Sequence, residues 1–392
     1  MDVLMIAHFT RAGRRSRDRF DTLAGILARR GANVELVTST FHHLSKQQKD
    51  VADAEDELYR TTYISEPSYR TNVSVRRLLS HQILGRNLTE YLRHRRAPDV
   101  VYCAVPSLEV ARAAAEFAAK NDARLVLDVQ DLWPEAFELV LRPHWAGRRM
   151  LRPLRRTAER IYRAADAVVT VSETYSNRVS AARGDDDEVT TVYLGTDLRT
   201  FDGFGPTRPV DDGYIELAYI GTLGHSYDLP TVFDALRLLK RQGLRMRLHV
   251  MGTGPFENQW RRDAADLSAE VIFYGSLEYS EMVARLRGCD IAVNPIVPGA
   301  AQSITNKIGD YAAAGLPVVN SQECQEYRDL LAAYGAGISC EQTADSIAAA
   351  LVRLSNDRNL AERGGGSRRM AEERFDRGVT YERLGGVVLG ED

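Results

Sequence analysis

The stretch Gln302–Val319, QSITNKIGDYAAAGLPVV, contains a loop, a helix and the start of a strand. Ser303 or Thr305 can cap the helix N-terminus, and Gly315 has the position of a glycine that ends a helix. The preceding segment Asp290–Pro295, DIAVNP, predicts a buried strand. A strand, a loop of small residues and a helix N-terminus together form an anion site, because free backbone N–H groups and the helix dipole point into the loop.

Two charged residues lie on one face of this predicted helix. Lys307 falls in its first turn or two, and Asp310 follows three residues later. A cation and a carboxylate so placed suit a sugar nucleotide, with the lysine on a phosphate and the aspartate on paired hydroxyls. The alternative is an ordinary amphipathic helix with an exposed ion pair, and the residues alone leave both interpretations open.

Length and composition indicate a two-domain soluble enzyme. The chain has 392 residues, with 44% hydrophobic and 27% charged residues, and this length exceeds one typical core. No apolar run approaches the roughly 18 residues of a membrane span, and the opening MDVLMIAHF lacks the features of a signal peptide. The four cysteines show no metal-like spacing, which favours reduced thiols. We therefore expect a cytoplasmic protein.

The charge is unevenly distributed along the chain. Residues 1–200 contain 31 Lys and Arg against 27 Asp and Glu, a balance of +4, whereas residues 201–392 contain 20 against 27, a balance of −7. The sum is the net charge of −3. A basic first half favours an anionic surface or substrate for that half. We expect no nucleic-acid partner.

Strand-like and helix-like segments alternate along the whole chain, which predicts parallel sheets covered on both faces. The chain opens with a strand, a loop and the amphipathic segment Arg17–Arg30, and it lacks the G-x-G-x-x-G dinucleotide motif. A strand with an irregular end is predicted at Tyr63–Tyr69. The pattern restarts after a glycine- and proline-containing linker at 198–213. We expect an α/β fold with doubly wound domains at 1–200 and 214–375, and a C-terminal helix at 376–392 that can cross back to the first domain.

Four segments of the second half carry a family resemblance in order: YIGTLG (Tyr219–Gly224), LHVMGTGP (Leu248–Pro255), VIFYGSLEYSEM (Val271–Met282) and NKIGDYAAAGLPVV (Asn306–Val319). Together with AADAVVTVSE (Ala164–Glu173), they resemble the family-4 type of retaining glycosyltransferases with the GT-B fold. Two further segments, DVQDLWPEA (Asp128–Ala136) and TSTFHH (Thr38–His43), are similar to a bacterial subgroup that builds capsule and O-antigen sugars. The resemblance spans nearly the whole chain.

The resemblance implies two Rossmann-like domains that face a central cleft. It implies a nucleotide-sugar donor, which we expect to be UDP-linked, in the C-terminal domain, and a glycan or polyprenyl-linked acceptor in the N-terminal domain. It also implies transfer with retention into a cell-surface polysaccharide or lipid-linked oligosaccharide precursor, and no required metal or other cofactor. Two alternatives remain open, a UDP-sugar 2-epimerase with the same fold and a non-catalytic protein that binds sugar nucleotides.

The sequence departs from the family pattern at several positions. The two glutamates that relatives commonly carry seven residues apart correspond to Gln302 and Asp310, so any role that needs a carboxylate at the first position is in doubt. The first C-domain loop has Thr222 and roughly Asp228 where relatives carry an arginine and a lysine. This leaves Lys307, the backbone of Gly221–Gly224 and the His8–Ser16 loop to hold the phosphates.

From the residues and the resemblance, we expect Lys307, Asp131 and Gln302 to act in catalysis. Donor contacts are expected from Gly13, Gly221, Thr222, Gly252, Gly254, Gly275, Leu277, Tyr279, Ser303, Lys307 and Asp310. The alternatives are that the glycines after the second C-domain strand only form a turn, that Tyr279 packs, and that Asp131 caps a helix. His8 is a further candidate for the phosphates or the acceptor, and His42 and His43 are candidates for the acceptor side.

Residues 142–163, RPHWAGRRMLRPLRRTAERIYR, hold eight arginines and one acid, with apolar side chains between them. This pattern is typical of a helix that rests on anionic lipid. The alternative is a surface helix whose apolar stripe packs on the N-domain sheet. A peripheral contact with the inner face of the cell membrane is therefore one expectation from this segment.

Overall fold

The computed structural model describes residues 1–10, 18–43, 45–49, 58–71, 74–134, 144–184, 189–207, 213–300, 304–356 and 360–391, with no side chains described at 144–148. The chain forms two compact units. Unit 1 comprises Met1–Tyr193 and Val379–Asp392, and unit 2 comprises Leu194–Gly378.

Unit 1 is built on a seven-stranded sheet, whose strands are β1 (Asp2–Ile6), β2 (Asn33–Ser39), β5 (Arg60–Ile64), β6 (Val100–Val105), β7 (Arg124–Val129), β8 (Ala167–Thr170) and β9 (Val189–Thr191). Their order is β5-β2-β1-β6-β7-β8-β9, and all of these pairs are parallel. A short antiparallel pair, β3 (Phe41–His42) and β4 (Gln47–Gln48), stands apart from the sheet.

The strand predicted at Tyr63–Tyr69 was wrong in position. In the structure β5 pairs with β2 from Glu35↔Arg60 to Ser39↔Ile64, so the ladder ends five residues before the predicted end. Pro67 has no N–H group for a ladder bond, which accounts for the chain leaving the sheet before it.

The helices of unit 1 cover both faces of its sheet. They are α1 (Arg19–Arg29), α2 (Val75–His94), α3 (Leu108–Asn121), α4 (His144–Ala164) and α5 (Glu173–Arg183). The Asp18 side chain caps α1 by accepting bonds from two backbone amides of its first turn, and Ser74 caps α2. Because both faces are covered, the central strands are largely apolar, with Val3, Leu4 and Met5 fully buried.

Unit 2 has a six-stranded parallel sheet of strands β10 (Ile215–Ile220), β11 (Met246–Met251), β12 (Val271–Gly275), β13 (Ile291–Asn294), β14 (Val318–Asn320) and β15 (Gly337–Ser339). Their order is β12-β11-β10-β13-β14-β15. Its helices are α6 (Leu198–Asp202), α7 (Leu229–Arg241), α8 (Glu257–Asp263), α9 (Tyr279–Leu286), α10 (Asn306–Ala313), α11 (Gln325–Tyr334), α12 (Ala344–Ser355) and α13 (Leu360–Met370). Two parallel α/β sheets confirm the predicted fold class.

The last helix, α14 (Arg377–Leu389), contributes to unit 1 from Val379 onward. Its residues Tyr381, Leu384 and Val388 are fully buried in the same hydrophobic cluster as Phe20 and Leu23 of α1. Burial of such side chains stabilises a fold by about 1.5–3 kcal/mol each. Among the described residues, none of the helices combines the length and apolarity that a membrane crossing needs.

Candidate functional site

Each unit has a position where the strand order reverses. It lies between β1 and β6 in unit 1, and between β10 and β13 in unit 2. Open α/β sheets bind ligands outside the carboxyl ends of the strands at this point. The residues that follow these strands therefore define two places, which we call the unit 1 site and the unit 2 site.

The unit 2 site contains a buried lysine. Lys307 is the second residue of α10 and is only 6% exposed. Its Nζ lies 3.8 Å from the ring centroid of Tyr227 and 4.7 Å from that of Tyr219, and it has no hydrogen-bond partner among the described residues. Burial lowers the pKa of Lys307 well below its usual value. The interpretation as an exposed ion pair was therefore wrong, and the ammonium occupies a place that favours an anion.

The loop after β10 lies beside this lysine. A Cβ atom on Gly221 would lie 3.9 Å from Lys307 Nζ. The amide of Gly221 donates to Met251 at 3.0 Å, and that of Leu223 donates to Thr253 at 2.9 Å. Within Gly221–Gly224, the amides of Thr222 and Gly224 make no hydrogen bond with a described residue, so within this loop the expectation of phosphate binding falls on these two amides.

The glycines after β11 have a structural explanation. A Cβ atom on Gly252 would lie 1.9 Å from the carbonyl oxygen of Gly221, and one on Gly254 would lie 2.3 Å from that of Leu223. The two loops thus meet through their backbones, which excludes any side chain at either position. Gly275 joins them, because its carbonyl accepts a hydrogen bond from the Gly252 amide at 2.8 Å. Direct donor contacts by these glycines remain a prediction.

Asp310 of α10 has one engaged and one available carboxylate oxygen. Oδ1 accepts hydrogen bonds from Thr196 Oγ1 and from the Tyr279 hydroxyl, both at 3.0 Å. Oδ2 accepts none from a described residue. Burial raises the pKa of Asp310, whereas the hydrogen bonds from Thr196 and Tyr279 act in the opposite direction. Tyr279 is 43% exposed as the first residue of α9, and Leu277 is half-buried just before it.

Three expected site residues, Gly13, Gln302 and Ser303, lie outside the described residues. Their roles remain predictions from the sequence.

The unit 1 site is centred on the buried ring of His8, which follows β1. Hydrogen bonds join its Nδ1 to Ser107 Oγ and its Nε2 to Glu66 Oε2, the latter at 2.8 Å. Glu66 also accepts bonds from Ser39 and Ser80. Burial alone would raise the pKa of Glu66, but these bonds and the His8 ring lower it to about 2. Sequence reasoning named His8 and missed its partners, although each lies where a polar residue follows a strand or starts a helix.

His81 of α2 lies against this group. Burial is the main cause that lowers its pKa to about 2, followed by the charges of His8 and Arg77. Its Nε2 is buried without a hydrogen-bond partner among the described residues. The ligating atoms of His8, Glu66 and His81 all lie within 4.8 Å of one another. Their number and type would suit a divalent cation, although His8 Nε2 is already bonded to Glu66.

An aromatic and cationic layer adjoins His81. Its ring stacks on Trp133, with centroids 5.5 Å apart and an interplanar angle of 7°. The guanidinium carbon of Arg77 lies 4.7 Å from the Trp133 ring centroid and 5.9 Å from that of Phe9. The rings of Phe9 and His43 are 4.8 Å apart. The half-buried rings can pack against one face of a ligand, and the cation beside them can pair with a negative charge on that ligand.

Asp131, expected as a base or a helix cap, follows β7 in this layer. Its Oδ2 accepts a hydrogen bond from Trp133 Nε1 at 3.2 Å, and the described residues after it form a turn. The helix-cap alternative is therefore wrong within the part of the chain that the structure describes. Its role as a base stays a prediction. Asp128, by contrast, is fully buried and pairs with Arg19 at 2.7 Å, which is a structural role.

The arginine-rich segment forms α4, and its apolar stripe is divided. Leu151, Ala158, Ile161 and Tyr162 are buried in unit 1, as the packing alternative predicted. Met150 and Leu154 are 63% and 36% exposed. Exposed arginines surround them, at positions 149, 152, 156, 160 and 163. A basic face with two apolar side chains therefore remains open to solvent.

Comparisons with known proteins find glycosyl transferase family models that match each of the two units. The family model of glycosyl transferases group 1 matches residues 215–357, and the model of the glycosyl transferase 4-like domain matches residues 17–195. The two matches follow one another along the chain. They correspond to the two compact units.

Two curated relatives are similar over parts of the chain. One is WcaL of Escherichia coli (strain K12), named as a colanic acid biosynthesis glycosyltransferase, which is 24% identical over 42% of this chain and 41% of its own length. The other is a GDP-mannose-dependent phosphatidylinositol monomannoside mannosyltransferase of Corynebacterium glutamicum, 24% identical over 63% of this chain and 68% of its own length. The match to WcaL thus spans less than half of that relative.

Two solved structures share the fold over the whole chain. Sucrose-phosphate synthase from Thermosynechococcus elongatus has a TM-score of 0.74 at 15% identity, covering 100% of this chain and 98% of its own. HepE of Anabaena, solved in complex with UDP, has a TM-score of 0.69 at 15% identity, covering all of both chains. At these identities the likeness concerns the fold alone.

Proposed function

The chain belongs to the family-4 type of glycosyltransferases with the GT-B fold, and on that premise we propose that it transfers a sugar, with retention, from a nucleotide-sugar to a glycan or polyprenyl-linked acceptor. The unit 2 site would hold the donor and the unit 1 site the acceptor. The product would be a precursor of a polysaccharide or glycolipid, as the names of both curated relatives suggest.

One observation carries the proposal, the buried Nζ of Lys307 at the N-terminus of α10, which has no hydrogen-bond partner among the described residues. A donor diphosphate would supply the counter-ion that no described residue supplies. Free amides at the helix N-terminus and those of Thr222 and Gly224 would add hydrogen bonds to the same group. Negative charge grows on this diphosphate as the glycosidic bond breaks, so the lysine would stabilise the transition state more than the bound donor.

Uridine is the nucleotide that we propose first. Support comes from HepE, whose structure contains UDP, and from the turn Gly275–Tyr279, whose backbone could read a pyrimidine without a diagnostic side chain. Guanosine is the second candidate, because the Corynebacterium relative is named for GDP-mannose. Asp310 Oδ2 would accept from a ribose hydroxyl with either base.

A nucleotide screen followed by turnover assays tests this function. We expect UDP or GDP, but not free phosphate at equal concentration, to raise the melting temperature, because a ligand of the native state stabilises it. With the matching sugar nucleotide and an acceptor extract, we expect released nucleoside diphosphate together with a labelled glycan. An isomerised sugar nucleotide without an acceptor would favour the epimerase. Binding without turnover would favour a non-catalytic protein, and no stabilisation by any nucleotide would contradict the unit 2 site.

The open face of α4 leads to a separate prediction about membranes. We expect the protein to bind vesicles of phosphatidylcholine with phosphatidylglycerol in a flotation assay and to be released by added salt. Replacing Arg149, Arg152 and Arg156 with glutamine should abolish binding, since their charges face solvent beside Met150 and Leu154.

A control variant carries the same loss of charge in unit 2, at the exposed residues Arg241, Arg262 and Arg353. It should bind as the unaltered protein does. Equal binding to vesicles without phosphatidylglycerol, or no binding to either kind, would remove the membrane contact.

A further inference from the structure

Two cationic side chains of the unit 1 site have no role in the proposed chemistry so far. Lys46 Nζ lies 4.9 Å from the ring centroid of Tyr69, and the Arg77 guanidinium lies 5.9 Å from the same centroid. His43 Nδ1 is 3.5 Å from Lys46 Nζ. Lys46, Arg77 and His43 are all half-buried, so each keeps part of its surface in solvent.

Both carboxylates of this site accept hydrogen bonds from other side chains. Glu66 is 2% exposed and accepts bonds from His8, Ser39 and Ser80. Asp131 accepts a bond from the Trp133 indole. Both contribute negative charge to the surroundings of Arg77, yet the buried one is already surrounded by donors. The solvent-accessible side chains of the site therefore have a more positive balance of charge than the complete set, which includes the buried Glu66.

The basic groups also influence one another. Burial and then the charge of Arg77 lower the pKa of Lys46. Burial, Lys46, Arg77 and His8 together lower the pKa of His43 to about 4. Burial likewise lowers the pKa of Arg77, although Tyr69 and the two carboxylates act against it. The charge of Arg77 thus disfavours a charge on both Lys46 and His43, and a bound anion would oppose that effect.

The rings supply the second part of a ligand site. Phe9 is half-buried and packs against His43 and His81, so its accessible part borders the same cations. Apolar ring surface beside a small number of charged groups is the usual composition of a small-molecule site. The cluster lies at the carboxyl ends of β1, β2 and β5, on the edge of the sheet where open α/β sheets bind ligands, and β1 borders the point where the strand order reverses.

We propose that the unit 1 site binds an acceptor that carries an anionic group, a sugar carboxylate or a phosphate, which pairs with Arg77 and Lys46 while its sugar packs against Phe9. This inference rests on the proposed function, because it names the acceptor class of the same enzyme. A carboxylate and a phosphate share the chemistry that Arg77 recognises, namely a planar or tetrahedral oxyanion that can accept two N–H bonds.

Binding of small probes without a donor tests this inference independently of transfer. The probes are methyl glucuronide, glucose 6-phosphate, geranyl diphosphate and the neutral methyl glucoside, measured by ligand-observed NMR at constant ionic strength with and without UDP. We expect an anionic probe to bind about tenfold more tightly than methyl glucoside. Preference for the glucuronide would indicate an acidic sugar, and preference for a phosphate or diphosphate would indicate a phosphorylated or lipid-linked acceptor.

Substitutions of Arg77 and Lys46 test whether these two side chains cause the preference for anionic probes. Arg77→Gln and Lys46→Gln should each lower the affinity for the anionic probe about fivefold to tenfold, because a charge pair is lost. The affinity for the neutral methyl glucoside should not change. Arg76→Gln is the matched control, since Arg76 is the exposed neighbour on α2, and it should bind all probes normally. Equal affinity for neutral and anionic probes, or equal loss in the Arg76→Gln control, would overturn the inference. UDP binding is measured in the same samples, so a failure of the donor site would be seen separately.

Discussion

Replacing Lys307 with methionine is expected to lower turnover about tenfold to a hundredfold, about 1.4–2.7 kcal/mol of barrier, and to raise the melting temperature of the ligand-free protein. The loss of rate follows because, under the proposed function, this lysine would stabilise the charge of the leaving diphosphate. The gain in stability follows because a buried ammonium without a counter-ion is replaced by an apolar chain of similar length. Steady-state kinetics with the sugar nucleotide and thermal unfolding without ligand measure both effects.

The lowered pKa of Lys307 also predicts the direction in which the stability of the folded protein changes with pH. The unfolded lysine has a pKa of about 10.4, whereas burial depresses the folded pKa of Lys307 well below its usual value. Between the two values the unfolded state binds a proton that the folded state lacks, so stability rises with pH in that window. The stability advantage of Lys307→Met should therefore be largest at low pH and shrink as the pH approaches the unfolded value.

Two further substitutions of Lys307 complete the test, together with the result that would contradict the prediction. Lys307→Arg should recover part of the rate, because it keeps the charge in a different shape. Lys307→Ala should lose the rate as methionine does, with a smaller loss of donor affinity. A folded Lys307→Met protein with unaltered turnover, and with the same pH dependence of stability as the unaltered protein, would refute the assignment of the diphosphate to this lysine.

Asp310→Asn is expected to weaken UDP binding by about 1.5–3 kcal/mol, the usual contribution of a hydrogen bond to a charged group. The substitution is well suited to the site. An asparagine oxygen can still accept from Thr196 and Tyr279, as Oδ1 does now. Only the second oxygen, which accepts no bond from a described residue, changes from an acceptor to a donor. Calorimetry with UDP alone measures the loss without any acceptor.

A double-mutant cycle assigns the contact to the ribose. If Asp310 binds one ribose hydroxyl, the unaltered protein should bind the UDP analogue that lacks this hydroxyl, 2′-deoxy-UDP or 3′-deoxy-UDP, more weakly than UDP. Asp310→Asn should show little further loss of affinity for that same analogue. Asp263→Asn, on an exposed position of α8, is the control and should bind UDP normally. Unchanged UDP affinity in Asp310→Asn would show that the ribose lies elsewhere.

The amino-acid sequence by itself determined the α/β class, the doubling of the architecture and the location of α10, the helix that carries Lys307 and Asp310. The physical reason is that these features are local. A strand buried on both faces is a nearly continuous apolar run, and Gly315, with its positive φ, follows the end of α10 as predicted. Thr305 stands at the N-cap position of α10 but makes no side-chain cap bond, so the predicted cap by Thr305 was wrong. Lys307 and Asp310 could therefore be placed on one helix before any tertiary contact was known.

Only the tertiary structure decided what surrounds those residues. Lys307 is buried because Tyr219 and Tyr227, some eighty residues away, cover it, and the glycines after β11 are needed because another loop's backbone lies against them. In unit 1, Ser107 and Glu66 reach His8 across sequence separations of 99 and 58 residues. No periodicity or local signal reports such contacts, because they arise from the order in which parallel strands assemble, which brings the carboxyl ends of distant segments to one edge of the sheet.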